Sequence, residues 1–454
     1  MKNTRMRNAA RRGGARFAAA LLLALPLCAR GAAAGDSAIA ELERMRAPGA
    51  VSVPEAAPSA GADAQREWTL MVYTGFAEKD RLLLDIAMKG LSKAGGRPNV
   101  NVLLQISEPG GATRYAVDRN FPEKPLQHID RADFADYRTV IDFVKWAKRE
   151  YPAKRYALML YGHGTGWEEY APAGLVYGER AANHIRNSEL RKILEASGHE
   201  NILFLLSCRM QMAEIAYEAR GYADAVFGSE EYIWAPENVF AALAKSLASA
   251  PGAPPAETAA AVFSSVKAEW QPLENTDFFK TNEMGQHFSA LDVSKMSGLA
   301  QMLKGWGAAV RPQDGRALAY AMSNVMRFGM PGMGKPSADT QRKRTHNGDL
   351  YHFMELAASK TENPALKSKS DEIKKFIASE LVIANMGMFR RPHADYEANA
   401  HGVSVEIAPV CPVVYDGEHE SSYSDSSSFA RDSNWDIFND ILVRVAQRYD
   451  LCKQ

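Results

Sequence analysis

The sequence predicts an α/β protein built on a largely parallel sheet, on three observations. Short apolar runs recur along the chain, stretches with helical periodicity separate them, and two of the runs end in residues able to do chemistry. Glu67-Trp68-Thr69-Leu70-Met71-Val72-Tyr73 reads as a first buried strand and residues 99–106 as a second, with a helix-like stretch at 82–91 between them. Residues 136–149 look helical and feed the run Tyr156-Ala157-Leu158-Met159-Leu160, which stops at Tyr161-Gly162-His163-Gly164-Thr165-Gly166-Trp167. Asn187-Ser188-Glu189-Leu190 supplies N-cap chemistry for a helix to Ala196, ahead of the run Asn201-Ile202-Leu203-Phe204-Leu205-Leu206-Ser207 that stops at Cys208.

Beyond Cys208, Met212, Ala213, Ala216 and Tyr217 fall on one helical face, and residues 223–229 read as another strand. Past residue 240 the pattern is mostly helical, through 258–270, 293–306 and 370–384. A late strand at 402–407 and a final helix at 435–448 close the chain.

Composition bounds the function classes. A chain of 454 residues that is 46% hydrophobic and 24% charged has ample material for a large core. Residues 1–34 hold seven Lys or Arg and no acid, with the apolar stretch 17–27 and then Ala32-Ala33-Ala34. This is the pattern of a secretory signal peptide, because the apolar stretch is short of the roughly 20 residues a membrane-spanning helix needs. Leu25-Pro26-Leu27-Cys28 is a poor lipoprotein box, with Leu27 where a small residue belongs, and the residues after Arg11-Arg12 do not continue a twin-arginine signal. Export to the periplasm or the medium is the expectation, with lipoprotein anchoring second, and no later segment reads as a membrane span.

Removing residues 1–34 takes the balance from 54 basic against 54 acidic residues to 47 against 54, which argues against a nucleic-acid partner. Three cysteines then remain: Cys411 and Cys452 could pair and leave Cys208 outside, or all three stay as thiols. Residues 35–66, rich in Ala, Pro, Gly and Ser, read as a linker or pro-segment.

His163 and Cys208 are the informative pair. A His between glycines at a strand end suits a general base, and the Gly164 N–H can join an oxyanion hole. A thiol at the end of a neighbouring strand suits a nucleophile, and a helix beginning right at Cys208 would lower its pKa. Taken singly, either residue is as readily structural. His346 and His352 lack zinc-ligand spacing, no metal site is expected, and there is no Gly-x-Ser-x-Gly elbow or phosphate-binding loop. His401-Gly402 precedes a strand instead of ending one, which makes it the weaker base candidate.

The block Tyr161 to Trp167, with Ser207-Cys208-Arg209-Met210-Gln211-Met212-Ala213-Glu214-Ile215-Ala216-Tyr217-Glu218, resembles the clostripain family of cysteine peptidases, relatives of caspases, legumains and gingipains. The resemblance extends to Trp68 to Tyr73, Asp349-Leu350-Tyr351-His352-Phe353, Gly402 to Pro409 and Ser428-Phe429 to Trp435. It implies a caspase-like three-layer α/β/α sandwich with a mostly parallel central sheet, plus a C-terminal, largely helical region. It also implies a Cys208–His163 dyad that forms an acyl-enzyme with a polypeptide substrate, the N–H groups of Gly164 and Cys208 holding the oxyanion. No cofactor is required; calcium dependence and maturation by self-cleavage hold for some members only. The segments Arg342-Lys343-Arg344 and 179–186 would be the places for a self-cut.

One departure bears on specificity. Where the family has Asp two residues before the nucleophile, part of a pocket for Arg or Lys, this chain has Leu206. Strand periodicity puts Leu206 on the same face as Cys208, so an apolar wall replaces the ion pair. Three readings stay open: Glu230 or Glu231, just past Ser229, supplies the acid; the subsite takes an apolar or small residue; or Arg209 favours an acidic one. The organisation expected is a signal peptide at 1–34, a linker at 35–66, a peptidase core at 67–310 and a region at 311–454 that completes or covers it. The rival readings are a non-catalytic secreted binding or scaffold relative and a transpeptidase. The sequence leaves the oligomeric state undetermined.

Overall fold

The computed structural model describes residues 65–453 apart from 76–80, 109, 119, 168–175, 178–183, 234–236, 250–251, 273–285, 329–344, 389–398 and 412–422. The signal peptide, most of the linker and the Arg342-Lys343-Arg344 segment therefore lie outside the described residues, as does most of the 179–186 segment. The strands are β1 (Arg66–Thr74), β2 (Val100–Glu108), β3 (Gly111–Ala116), β4 (Gln127–Asp130), β5 (Ala153–Tyr161), β6 (Val176–Tyr177), β7 (His184–Ile185), β8 (Glu200–Leu206), β9 (Ala223–Gly228), β10 (Gln286–Asp292), β11 (Asn347–Asp349), β12 (Val382–Met388) and β13 (Ser404–Glu406).

Nine of them form one sheet in the order β12-β10-β9-β8-β5-β1-β2-β3-β4. The five central strands are parallel, and antiparallel strands finish both edges. Parallel strands need crossover helices, and these cover both faces, which is why β1, β5 and β8 read as nearly continuous apolar runs. Met71 and Tyr73 of β1 face a layer containing helices Tyr137–Glu150, Asn187–Ser197 and Met296–Ala309. Leu70 and Val72 face the other layer, with helices Arg81–Ser92, Asn238–Ser249 and Pro255–Trp270. The result is a three-layer α/β/α sandwich. Helices at Gly315–Asn324, Leu350–Lys360, Pro364–Phe376 and Trp435–Arg448 thicken the first layer around the buried rings of Trp306, Phe353, Trp435 and Phe438.

Local chemistry fixes the ends of the elements. Asp136 caps helix Tyr137–Glu150 by accepting the Arg138 N–H at 2.9 Å, and Lys148 and Arg149 sit in its last turn, where positive charge suits the helix dipole. Asn363 caps Pro364–Phe376 through the N–H groups of Ala365 and Leu366.

Three sequence expectations need correction. The helix after Cys208 spans Ala213–Glu218, so it neither begins at Cys208 nor aims its first turn at the thiol. The intervening residues form a turn, with Arg209 in the left-handed region at φ 59° and the Gln211 N–H bonded to Ser229 O at 2.9 Å. The segment 370–384 is not one helix: it passes through a π-turn at Ile377–Leu381 into β12, because pairing with β10 gives it a sheet edge to join. The late strand shrinks to Ser404–Glu406.

Strands β3, β4 and β10 escaped the sequence reading because their polar residues mimic loop composition. In β3, Arg114 is buried, with Nε donating to Gln105 Oε1 at 2.7 Å, Nη2 paired to Asp142 at 2.5 Å, and its guanidinium over the Trp146 ring. Among the described residues, no helix is long and apolar enough to cross a membrane.

A disulfide joins Cys411 to Cys452, with Cα atoms 4.6 Å apart and a sequence separation of 41, and ties the end of the final helix back to the β13 segment. Loop closure over that length limits the unfolded chain by about 4 kcal/mol in the chain-entropy treatment, with about 2–4 kcal/mol usual in practice. The Cys452→Ser protein is expected to unfold at lower urea with turnover retained; an unchanged midpoint would show that the bridge does not form.

Candidate active site

The site is built where two neighbouring strands end. β5 and β8 are parallel, with Tyr161 opposite Leu206. His163 lies two residues past Tyr161 and Cys208 two past Leu206, so both leave the sheet together at its carboxyl edge, where open α/β sheets place their ligands.

The two loops are in contact. A Cβ placed on Gly164 would run into Met210 Cε, stand 2.8 Å from Ser207 Cβ and 3.0 Å from the Cys208 carbonyl oxygen. Gly164 is therefore a glycine because the Cys208 loop fills the space a side chain would need. Gly166 has φ 87°, and its Cβ would meet Met212 Sδ at 2.8 Å. His163 is 6% exposed and Cys208 2% exposed, with the sulfur 4.0 Å from Ile233 O.

Hydrogen bonds to the β9 end fix the Cys208 loop. The Arg209 N–H donates to Glu231 O at 3.0 Å, and the Gln211 side-chain amide to Val226 O at 3.3 Å and Ser289 O at 3.2 Å. On its other side, the Ser404 N–H donates to Gln211 O at 3.0 Å.

The residues singled out for substrate binding fall into two environments. Leu206 is buried in the same apolar layer as Cys208, Tyr161 and Tyr232. Ser229, Glu230 and Glu231 lie in the interior behind the Cys208 loop. Ser229 Oγ accepts the Glu231 N–H at 3.1 Å, and Glu231 Oε1 accepts the Tyr232 N–H at 2.9 Å.

Glu230 is fully buried. Its Oε2 accepts the Gly402 N–H at 2.9 Å and lies 3.2 Å from His287 Nε2, and its carboxyl meets that of Asp349. Asp349 in turn accepts the N–H groups of His352 at 2.7 Å and His401 at 2.5 Å. Burial first, and then the neighbouring carboxylate, pushes the Glu230 pKa well up, and burial raises Asp349 to about 7, so the pair holds a proton between them. Burial drives His287 down to about 3, which keeps it neutral, and its Nδ1 accepts the Glu230 N–H at 3.1 Å.

A second polar cluster was not found from the sequence. Glu406 Oε2 accepts the indole N–H of Trp167 at 2.7 Å, and Oε1 lies 2.7 Å from His346 Nδ1. The Glu406 N–H donates to Glu214 Oε1 at 2.8 Å, the same oxygen that accepts the Tyr423 hydroxyl at 2.6 Å. Trp167 is four residues past His163 and Glu214 six past Cys208, so one strand residue ties together the segments that carry the two candidates. The late strand read at 402–407 and the similarity of Gly402 to Pro409 to the family were the sequence signals near Glu406, and neither pointed to its carboxylate. Arg327 lies beside this cluster, its Nη1 donating to the carbonyls of Thr345 and Ile407 and its Nη2 to those of Met322 and Ala408. Among the described residues, no group of three or more His, Cys, Asp or Glu side chains could hold a metal ion.

Two outcomes are expected from this geometry. Gly164→Ala should separate the two loops and lower kcat/KM by about 10²-fold, the usual cost of a displacement near 1 Å, while the fold persists; full activity would mean that the contact does not matter. The second concerns Glu214, which burial raises from 4.5 to about 7. A carboxyl whose folded pKa is raised contributes stability below the unfolded value and loses it as pH climbs through the folded value. Between about pH 4.5 and 7 the protein should therefore lose stability relative to Glu214→Gln, with the two curves parallel below and above that window. Parallel urea-unfolding curves throughout would count against the assignment.

The Clostripain family profile matches residues 74–365 of this chain. Among solved structures, a secreted C11 cysteine protease from Bacteroides thetaiotaomicron in complex with an irreversible peptide inhibitor is similar at 16% identity and a TM-score of 0.56. The match covers 82% of this chain and 100% of that one. An inactive zymogen C11 protease from Parabacteroides distasonis is similar at 16% identity and a TM-score of 0.55, over 82% and 99% of the two chains. At these identities the likeness speaks to the caspase-like fold, which the sandwich described above shares. No match was found among curated proteins. With well over half its length matched by the family profile, the chain belongs to the clostripain family and is a cysteine endopeptidase.

Proposed function

We propose that the protein is an exported endopeptidase in which Cys208 is the nucleophile and His163 the general base. The supporting observation is the meeting of their loops at Gly164, set by the Tyr161–Leu206 register. In the reaction, Cys208 Sγ gives its proton to His163 and attacks the peptide carbonyl, forming a C–S bond. Collapse of the tetrahedral species breaks the C–N bond, and His163 returns the proton to the leaving amine. Water, deprotonated by His163, then releases the acid and restores the thiol. The N–H groups of Gly164 and Cys208 hold the oxyanion. With Cys208 2% exposed, substrate must displace side chains around the thiol to reach it.

Substrate specificity follows from the pocket wall. Leu206 supplies an apolar surface beside the thiol, and the Glu230 carboxyl is spent on Gly402, His287 and Asp349. Of the three readings, an apolar or small residue before the cut is the one these contacts support best; Ser229 and Glu231 would line the base of the same subsite. The chemistry needs no metal, and calcium enters the assay as a variable because the family resemblance raises it. Export is supported by the signal-like N-terminus.

Fluorogenic peptides varied at the residue before the cut, tested on wild type and Cys208→Ala with and without calcium, check the proposal. The expected result is turnover on apolar or small residues that falls at least about 10³-fold in the variant. Equal turnover in both proteins would refute the role of Cys208. No turnover in either, after limited proteolysis as well, would favour the non-catalytic relative, and a preference for Arg or Lys would return the acid role to Glu231.

A further inference from the structure

Glu230 stands between the two chain segments that hold the Cys208 turn. Its sequence neighbours bind that turn through their carbonyls: Ser229 O accepts the Gln211 N–H at 2.9 Å, and Glu231 O accepts the Arg209 N–H at 3.0 Å. Its side chain bonds elsewhere, with Oε2 accepting the Gly402 N–H at 2.9 Å. Two residues further on, the Ser404 N–H donates back to Gln211 O at 3.0 Å. The contacts close a ring that runs from Gln211 to Ser229, through the Glu230 side chain to Gly402, and from Ser404 to Gln211 again. The carboxyl is the one link in that ring that is not backbone.

Asp349 sets a second carboxyl beside the first. It accepts the His401 N–H, the donor immediately before Gly402, at 2.5 Å, and caps helix Leu350–Lys360 through the His352 N–H at 2.7 Å. Both acids are fully buried. Glu230 Oε1 meets no donor among the described residues, and the Glu230 carboxyl is in contact with that of Asp349. Two ionised carboxylates offer each other only acceptors, so a proton on one of them is what turns the contact into a hydrogen bond. Two like charges this close in the interior cannot both be held.

The surroundings do not relieve the pair. Among the described residues no Lys or Arg forms an ion pair with either acid, and Glu231 and Glu355 add negative potential. Burial keeps the adjacent His287, His352 and His401 neutral, with pKa values driven down to about 3, about 4 and about 4. Lys374 acts on His401, and its ammonium lies 5.8 Å from the centre of the Tyr351 ring on which His401 stacks. One proton is therefore the local means of keeping both carboxyls in place.

We propose that Glu230 is a positioning residue for the nucleophile: the proton it shares with Asp349 keeps its side chain on Gly402, and loss of that proton opens the ring and frees the Cys208 turn. The catalytic consequence rests on the assignment of Cys208 above; the structural one does not. Burial raises Asp349 to about 7 and Glu230 well above its ordinary value, so the bond is intact at lower pH and is lost as pH climbs past about 7 through the folded values.

The test is amide hydrogen exchange of the full chain, read on fragments covering residues 209–211 and 402–404 at about pH 6 and about pH 9 and corrected for the intrinsic rate at each pH. Glu230→Gln cannot ionise, and its amide donates to Asp349 as the protonated acid does. In wild type, protection of the Arg209 and Gln211 amides should fall at least about tenfold between the two pH values while protection in β5 holds, and in Glu230→Gln it should stay within about twofold. Glu230→Ala, which also loses the bond to Gly402, should be unprotected at both. The wild-type comparison needs no variant. Constant protection in wild type, or the same loss in Glu230→Gln, would overturn the proposal. The alkaline fall of kcat/KM should also begin at higher pH in Glu230→Gln, and coincident alkaline limbs would overturn the link to catalysis. No turnover in any of the proteins, with the exchange result as expected, would support the role of Glu230 and count against the peptidase assignment instead.

Discussion

The close approach of the Gly162–Trp167 loop to the Cys208 loop is the constraint on which the rest of the site depends. It originates in a single register, Tyr161 opposite Leu206, because parallel neighbours launch their next residues from the same edge. Glycine at 164 converts that proximity into contact, since any side chain there would meet Ser207, Cys208 and Met210. A slip of one residue in β5 or β8 would turn alternate side chains to the opposite face and part the two loops.

Buried polar groups then hold both loops against the second half of the chain. The Cys208 loop bonds to the end of β9 and to Ser404, Glu230 and Asp349 grip the N–H groups of Gly402 and His401, and Glu406 joins Trp167 to Glu214. Such networks are costly when incomplete and rigid when satisfied. Their placement explains why residues beyond 310 matter to a site whose candidate nucleophile and base both lie before 210: β12 completes the sheet edge, and the β11–β13 pair carries the carboxylates that brace the loops.

Much of the layout was legible because burial on both faces leaves an unmistakable trace. β1, β5, β8 and the helix at Trp435–Arg448 matched the sequence reading, and so did the two strand ends past which His163 and Cys208 stand. What escaped depended on partners distant in sequence. Arg114 sits in a strand because Gln105, Asp142 and Trp146 satisfy its charge, and Glu230 is interior because His287, Asp349 and Gly402 surround it. A paired acid next to a strand end reads as a solvated loop, and neither periodicity nor propensity encodes such a tertiary rescue. The helix after Cys208 was expected too early for the same reason: long-range bonds to Ser229 and Glu231 hold the turn open where local propensity would have closed it.

The measurement that bears most directly on the dyad is the pH dependence of Cys208 alkylation by iodoacetamide in the folded protein and in His163→Ala. We expect wild type to react in a step well below the ordinary thiol value of about 8.5, and the variant to move that step upward toward it. Superimposable profiles in the two proteins would contradict the pairing of thiol and imidazole, and with it the assignment of His163 as the base.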